Sequence, residues 1–448
     1  MYSTIAAILF LVILLAFAWL DAAWWRAADH RLKPLRAARL WRTLLAAFMG
    51  LMLLELLLLA FWRTWISASQ APVPMYAHAV IYLWHFLFLP IGCLALFGSA
   101  TLRRLKSWAG AIGRRFAPVQ NGLPLAVATA ANRLTPNARG ATSEPWPSQA
   151  SELAGEPPSA RIRHNPSRRQ VLTAAAMALP PLAACAVAGG TIPNMTRRRL
   201  KQYVLRIPRL PQPLDGMTIA QVSDTHIGKF LHPGRLPGIA DDVNALNADF
   251  VVFTGDLIDM SLADLPHGIR FLQSLKARCG VAICEGNHDL FEDRGEFERR
   301  LRPAGLNFLL GGAQTFSCVP GANPGGRDFP VQFLGLPWNL TDPANAASLD
   351  CLRPLIRPDA FPILLAHHPH AFDPAAMAGI PLTLSGHTHG GQIMLTDNIG
   401  AGPVRFRYVS GHYQKFGSSL IVNNGIGNWF PLRLNAPAEI VHVTLRSA

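Results

Sequence analysis

Three long apolar runs crowd the first hundred residues and restrict the folds open to this chain more than any other feature. They cover about residues 5–25, 44–62 and 80–100, each close to the ~20 residues a helix needs to cross a bilayer. Only Glu55 interrupts the second run, and His85 sits inside the third. Polar groups at that depth face each other or a partner helix, or else lie near an interface. Trp24, Trp25, Trp62, Trp65 and Tyr76 stand near run ends, where aromatic belts form. Buried helices of a large soluble domain are the competing account, and three successive runs make it the poorer one. Half of the 448 residues are hydrophobic and 15% are charged, a balance that suits membrane segments beside a folded domain.

Charge gives the runs a direction. Arg26, Arg31, Lys33, Arg36, Arg39 and Arg42 crowd the first loop and its flanks, and such a loop stays cytoplasmic. Residues 63–78 hold one Arg and no Lys, so they belong outside. Arg103, Arg104, Lys106, Arg114 and Arg115 return the chain inside. The net charge of +14 could mark a nucleic-acid protein, but no such motif occurs. Attachment to an anionic membrane surface explains the charge instead, and no nucleic-acid partner is expected.

Residues 1–106 therefore read as a transmembrane region. Residues 107–166, rich in Ala, Pro, Gly, Asn and Ser, read as a flexible linker. Ser167-Arg168-Arg169-Gln170-Val171-Leu172 then opens another apolar stretch. It resembles a twin-arginine export signal placed in mid-chain, and it also reads as a fourth membrane helix. Both readings make residues 167–192 cross outward and place the C-terminal half of the chain on the outer face. Pro180-Pro181 is expected to break this helix, and Arg197, Arg198, Arg199 and Lys201 put positive charge on the outer side. The six cysteines show no CxxC pair and no framework spacing, so they leave the redox compartment open.

From about residue 203 to 448 the pattern becomes that of an α/β domain. Strand-like runs occur at 218–222, 250–253, 281–284, 332–334, 363–366, 382–384, 420–422 and 440–443, with helical stretches at 236–246, 269–277 and 295–302. Polar groups come directly after several of these strands, where α/β folds place their ligands. Asp224 and His226 are two apart, as are His387 and His389, so each pair can face one side of an extended segment. Asp256 comes after a strand and a glycine, His367 after another strand, and Gly286-Asn287-His288-Asp289 after a third. Two carboxylates (Asp224, Asp256), the Asn287 amide and four imidazoles exceed what one metal ion can use. A carboxylate shared by two ions accounts for the excess. Oxygen and imidazole donors without thiolate suit Mn²⁺, Fe or Zn²⁺. Two such ions about 3.5–4 Å apart can clamp an in-line phosphoryl displacement and generate a hydroxide nucleophile.

Asp-x-His, Gly-Asp, Gly-Asn-His-Asp, His-x-Pro and Gly-His-x-His, in that order, resemble the calcineurin-like metallophosphoesterase superfamily. Gly386–Ile393, Asn424–Gly427, Pro431–Leu434 and Glu439 resemble more narrowly its membrane-anchored bacterial phosphodiesterase branch, which is associated with twin-arginine segments. The resemblance covers about residues 203–446. It implies a four-layer α/β/β/α sandwich with a two-metal centre between the sheets, and a phosphoester substrate. Asp224, His226 and His389 would hold one divalent ion, and Asn287, His367 and His387 the other, with Asp256 bridging. His288 would face the substrate, with Asp289 orienting its ring. At His367-His368-Pro369 the spacing favours His367, and His368 is the fallback. His370 stands where the family often carries an acidic residue, and Arg405 and Arg407 are basic groups within reach of a phosphate or simply on a solvated strand.

The expectation is a membrane-anchored dimetal phosphoesterase of the bacterial inner membrane, acting on a phosphodiester, phosphomonoester or pyrophosphate, with a lipid-linked or envelope substrate. Two alternatives accompany it. One is a cytoplasmic-face pyrophosphatase of a UDP-sugar lipid, which conflicts with the outward topology. The other is a non-catalytic scaffold or sensor retaining the fold, which missing ligands would signal. Oligomeric state is left open.

Overall fold

In the computed structural model the backbone is described for residues 2–33, 38–65, 74–98, 167–394, 396 and 406–448. The linker 107–166, the basic residues 103–115, Arg36 and Arg405 lie outside these described residues, as do the side chains of Trp62 and Trp65.

The apolar runs form helices α1 (Tyr2–Leu32), α2 (Ala38–Trp65) and α3 (Met75–Gly98). A fourth, α4 (Arg168–Thr196), starts at a capping box in which Ser167 and Gln170 satisfy each other's backbone N–H. All four are long and apolar enough to span a membrane. Contrary to expectation, Pro180 and Pro181 do not break α4. Pro181 is buried, and neighbouring helices can hold a proline-bearing helix in shape. Trp24 is also no belt residue: it is 1% exposed and packs edge-on against Trp84. His85 meets Asp21 rather than Glu55.

The first strand begins a few residues before position 203. Strand β1 (Arg198–Ile207) starts directly after α4. Its basic residues thus lie on a sheet edge, where charge blocks further strand pairing, and Arg198 pairs with Asp242 at 2.5 Å. The remaining elements are β2 (Thr218–Val222), α5 (Leu236–Asn244), β3 (Phe250–Thr254), α6 (Leu265–Ser274), β4 (Gly280–Cys284), α7 (Arg294–Leu301), β5 (Gly312–Cys318), β6 (Phe329–Gly335), α8 (Asp342–Leu352), β7 (Phe361–Leu365), α9 (Phe372–Met377), β8 (Leu382–Ser385), β9 (Gly411–Lys415), β10 (Ser418–Val422) and β11 (Ala438–Ser447).

They build two sheets, ordered β1-β11-β2-β3-β4 and β5-β6-β7-β8-β10-β9. The β2, β3 and β4 strands run parallel, as do β6, β7, β8 and β10. Side-chain alternation explains the layering. In β3, Phe250 and Val252 enter the core between the sheets, while Val251 and Phe253 pack under the helices outside. In β7, Ile363 and Leu365 face the same inner core and Leu364 faces the opposite helical layer. The result is helices, sheet, sheet, helices.

The membrane bundle packs on this domain. Phe430, Leu432 and Ile393 join the apolar core of the helices, and Tyr82 of α3 lies 5.3 Å from Phe230 between ring centroids. Asn194 donates to the Arg433 carbonyl (2.9 Å), and Arg235 to that of Thr196 (2.7 Å).

Candidate metal centre

Parallel strands present their C-terminal ends on one side, and the chemistry collects there. Asp224 and His226 come after β2, Asp256 after β3, and Asn287 and His288 after β4. His367 comes after β7, and His387 and His389 after β8. The turns that carry them are sharp. Asp224, His226, Asp256, His387 and His389 all have positive φ, between 42° and 76°. A non-glycine residue there costs on the order of 1–3 kcal/mol and persists where its surroundings dictate it. Gly255 (φ +92°) precedes Asp256 where a Cβ would come within 2.7 Å of His367 Nδ1 and the Gly286 backbone nitrogen. Only glycine lets the β3 turn pass beneath these loops.

Asp224, His226 and His389 each place a donor atom within 4.8 Å of the others, and Asp256, His367 and His387 form a second such group. Asp224 Oδ1 lies 3.3 Å from His389 Nε2, and the Nε2 atoms of His226 and His389 face each other at 2.9 Å. Asp256 Oδ2 stands between the groups, 3.0 Å from His367 Nε2 and 3.5 Å from His226 Nε2. His367 Nδ1 donates to the Thr254 carbonyl at 2.7 Å, which leaves Nε2 as a lone pair aimed at the carboxylates. His368 belongs to neither group: its ring packs 4.9 Å from that of His387, and its Nδ1 accepts from the His370 N–H.

These residues fit divalent cations. Asn287 Oδ1 is buried without a hydrogen-bond partner among the described residues, as is His226 Nδ1. Opposed imidazole nitrogens beside buried carboxylates call for positive charge between them. Burial drives His387 and His389 well below the usual histidine range, so both are neutral and available as ligands.

His288 lies beside the two groups, its ring 4.4 Å from that of His226. Its backbone N–H donates to Asp256 Oδ1 (2.8 Å), and its Nδ1 donates to the Asp259 carbonyl (2.7 Å), with Asp259 Oδ1 3.3 Å away. Burial pulls the ring down, yet the Asp256 carboxylate and Asp259 carry it up to about 9. Asp259, not Asp289, orients this ring. The Asp289 carboxylate is occupied by four backbone N–H groups, those of Asp256, Leu257, Ile258 and Gly286, at 2.8–3.0 Å. Its work is to hold the turn that carries Asp256.

Asp259 was illegible in the chain because it sits in no motif. Arg433 is fully buried and donates to the carbonyls of Asn424, Gly425, Gly427 and Ala436. It braces the loop under His389, from whose Nδ1 it lies 3.2 Å. The Glu439 carboxylate accepts the Asn424 N–H (3.0 Å) on the same loop. At the rim, Arg407 is taken up by Asp342 (2.7 Å) and Asp373, and His370 by Asp342 (3.0 Å), so neither is free for a phosphate.

Residues 217–391 match the family model described as calcineurin-like phosphoesterase. The chain is 31% identical over 252 residues to the uncharacterized metallophosphoesterase YkuE of Bacillus subtilis, covering 55% of this chain and 85% of that protein. It is 29% identical over 257 residues to a transmembrane protein with metallophosphoesterase domain of Danio rerio, covering 54% and 56%. To the uncharacterized metallophosphoesterase Cj0846 of Campylobacter jejuni it is 31% identical over 252 residues, covering 55% and 63%. The match thus spans little more than half of the Danio protein and under two thirds of the Campylobacter one.

Proposed function

The chain belongs to the calcineurin-like phosphoesterase family and is a metal-dependent phosphoesterase, and we propose that it hydrolyses a phosphoester of the membrane in which it is anchored. Asp224, His226 and His389 would hold one divalent ion, and Asn287, His367 and His387 the other, with Asp256 shared. When bound, the ions supply Lewis acidity to the phosphoryl oxygens and a nucleophilic water. The protein's own groups do the rest. His288 carries a proton toward the leaving oxygen, Asp259 fixes its ring through Nδ1, and Asp289 holds the turn beneath the shared carboxylate.

The observation that carries the membrane-resident substrate is a chain of aromatic rings. From His288 it runs to Phe291 (4.5 Å) and Trp429 (6.1 Å), then from Trp429 to Phe430 (5.6 Å) and on to Tyr82 of α3 (6.3 Å). Phe291 and Trp429 are 52% and 41% exposed. Exposed aromatic groups that join a catalytic histidine to a membrane helix suit the apolar part of a lipid phosphoester, with its head at the metal pocket.

Topology supports the outer face of a bacterial inner membrane. Leu32, Trp41 and Val171 meet around one apolar cavity, so the basic ends of α1 and α2 lie beside the start of α4. The catalytic domain leaves from the far end of α4. The basic groups of α1, α2 and the start of α4 therefore lie at the end of the bundle opposite the catalytic domain, while Arg198, Arg199 and Lys201 belong to the domain's own edge strand. The proposed organisation is a membrane region (1–106), a linker (107–166), a further span (168–196) and the phosphoesterase domain from residue 198.

The test compares a long-chain phosphodiester in mixed micelles with a water-soluble aryl phosphodiester, using full-length protein loaded with Mn²⁺. A kcat/KM at least tenfold higher on the long-chain substrate is expected. Equal values would remove the lipid while keeping the phosphoesterase. A reporter fused after Ala448 should be active only outside, and activity only on the cytoplasmic side would reverse the topology.

A further inference from the structure

Two cysteines far apart in the chain meet at one edge of the sandwich. Cys318 ends β5 and Cys279 directly precedes β4, and their sulfurs lie 2.7 Å apart. Both strands are edge strands, one of each sheet. Cys318 is fully buried and Cys279 half-buried, and both pack against the core between the sheets. The Cys279 backbone is fixed by its N–H to the Asp249 carbonyl (2.7 Å), and Cys318 by its ladder position opposite Phe329.

We infer that Cys279 and Cys318 form a disulfide in the mature protein, a covalent staple between the two sheets made on the outer side of the membrane.

The neighbouring charged groups, Asp249 and Arg278, pair with each other, Arg278 Nε lying 3.4 Å from Asp249 Oδ1. Asp249 Oδ1 accepts the Gly321 N–H (2.7 Å), and its Oδ2 accepts from the Thr218 N–H (2.8 Å) and hydroxyl (3.0 Å). Its oxygens are engaged by Gly321, Thr218 and Arg278, and with the two thiols it makes at most three candidate ligands among the described residues where a closed zinc site takes four. The other cysteines are placed differently: Cys93 and Cys185 lie in membrane helices, Cys284 is buried in β4 and Cys351 is exposed on α8.

The chemistry is thiol–disulfide exchange with a disulfide-bearing oxidant. The thiolate of Cys279, the more accessible sulfur, attacks one oxidant sulfur and expels the other. Cys318, giving up its proton, then attacks Cys279 Sγ and displaces the oxidant. The oxidant leaves as a dithiol, having gained two electrons and two protons, and the protein is oxidised by the same two electrons. The adjacent Cys318 thiol holds Cys279 below the usual thiol range, which favours it as the attacking group. Such bonds persist in oxidising compartments and are rare in the cytosol, so this pair reports on the side of the membrane without reference to catalysis.

The test is direct. Membranes from cells producing the full chain are acid-quenched, free thiols are alkylated, and the protein is digested without reductant. Mass spectrometry should find the peptide containing Cys279 joined to the peptide containing Cys318, with fragmentation placing the link at Cys279 and not at Cys284. Reduction before alkylation should abolish that species. The C279S/C318S protein should lose the link and melt at lower temperature. Alkylation of both thiols in most of the unreduced wild-type protein would overturn the proposal. So would one equivalent of zinc whose chelation uncovers both thiols.

Discussion

Asp and His are buried together in two regions of this molecule, and the regions satisfy them in opposite ways. In the membrane bundle, Asp21 Oδ1 accepts from Trp84 Nε1 (2.9 Å) and Oδ2 lies 3.1 Å from His85 Nε2. His85 Nδ1 lies 3.0 Å from the Ile81 carbonyl. Every polar atom of that pair has a partner, and the backbone stays helical, with one π-turn at Trp84–Phe88. In the candidate metal cleft, imidazole nitrogens face each other, the Asn287 oxygen and His226 Nδ1 have no hydrogen-bond partner among the described residues, and five candidate ligand residues hold left-handed backbone. A closed polar cluster pins helices together. An open one, kept open against strain, is built to receive ions.

The largest expected effect breaks the open cluster at its centre. Asp256→Ala should reduce aryl phosphodiester hydrolysis on the order of 10³-fold or more, and metal analysis should find no more than one ion per chain where two are expected in wild type. Retention of both ions would remove Asp256 from its shared position. The matching cut in the closed cluster is Asp21→Ala. It should destabilise the bundle by about 3–5 kcal/mol, because His85 and Trp84 lose their buried partner, and leave metal content and soluble-substrate activity unchanged. The paired change Asp21→Leu with His85→Leu should recover most of that loss in detergent unfolding. If Asp21→Ala strips metal, the two regions are not independent.

Smaller effects separate the groups around His288. His288→Ala should lower kcat by about 10²–10³-fold with both metals retained. Asp259→Asn keeps the carbonyl that accepts from His288 Nδ1 and removes only the carboxylate charge beside it, so kcat should fall about tenfold with both metals retained. Asp289→Asn should instead weaken metal binding by roughly 10–100-fold, because an amide N–H would oppose the backbone donors that hold the Asp256 turn. Titration calorimetry alongside kcat distinguishes these patterns. An Asp289 variant with normal metal affinity and a crippled kcat would restore Asp289 as the group that orients His288.

Much of this was legible in the chain, for reasons that differ by element. β2 was readable to the residue because Thr218–Val222 is a short apolar run ending just before Asp224. The motif residues could be picked out because their chemistry is carried by residue type and close spacing. Three strands escaped notice: β1 is basic because it is an edge, and β5 and β9 are half-exposed edges with weak patterns. Asp259, Asp21 and the Cys279–Cys318 contact could not be read, since each depends on a partner brought near only by the fold. The persistence of α4 through Pro180-Pro181 belongs with them, for the neighbouring helices, not the local sequence, decide it.

The smallest effect concerns where the two regions join. Trp429 is exposed, stacks toward His288 on one side and contacts Phe430 on the other, while Phe430 leans on Tyr82 of the bundle. If this strip carries the apolar part of the substrate, Trp429→Ala removes one contact surface without touching a metal ligand. KM for a long-chain phosphodiester in mixed micelles should rise about tenfold, the equivalent of ~1.4 kcal/mol, a size expected for partial loss of one aromatic contact. Because the metal pocket and His288 remain, kcat on a soluble aryl phosphodiester should stay within about twofold. Substrates of increasing chain length sharpen the reading. Wild type should gain affinity with each added pair of methylenes until the strip is covered, and Trp429→Ala should flatten that slope. A parallel slope, displaced but not flattened, would mean that Trp429 positions the phosphoryl head and that the apolar chain lies elsewhere.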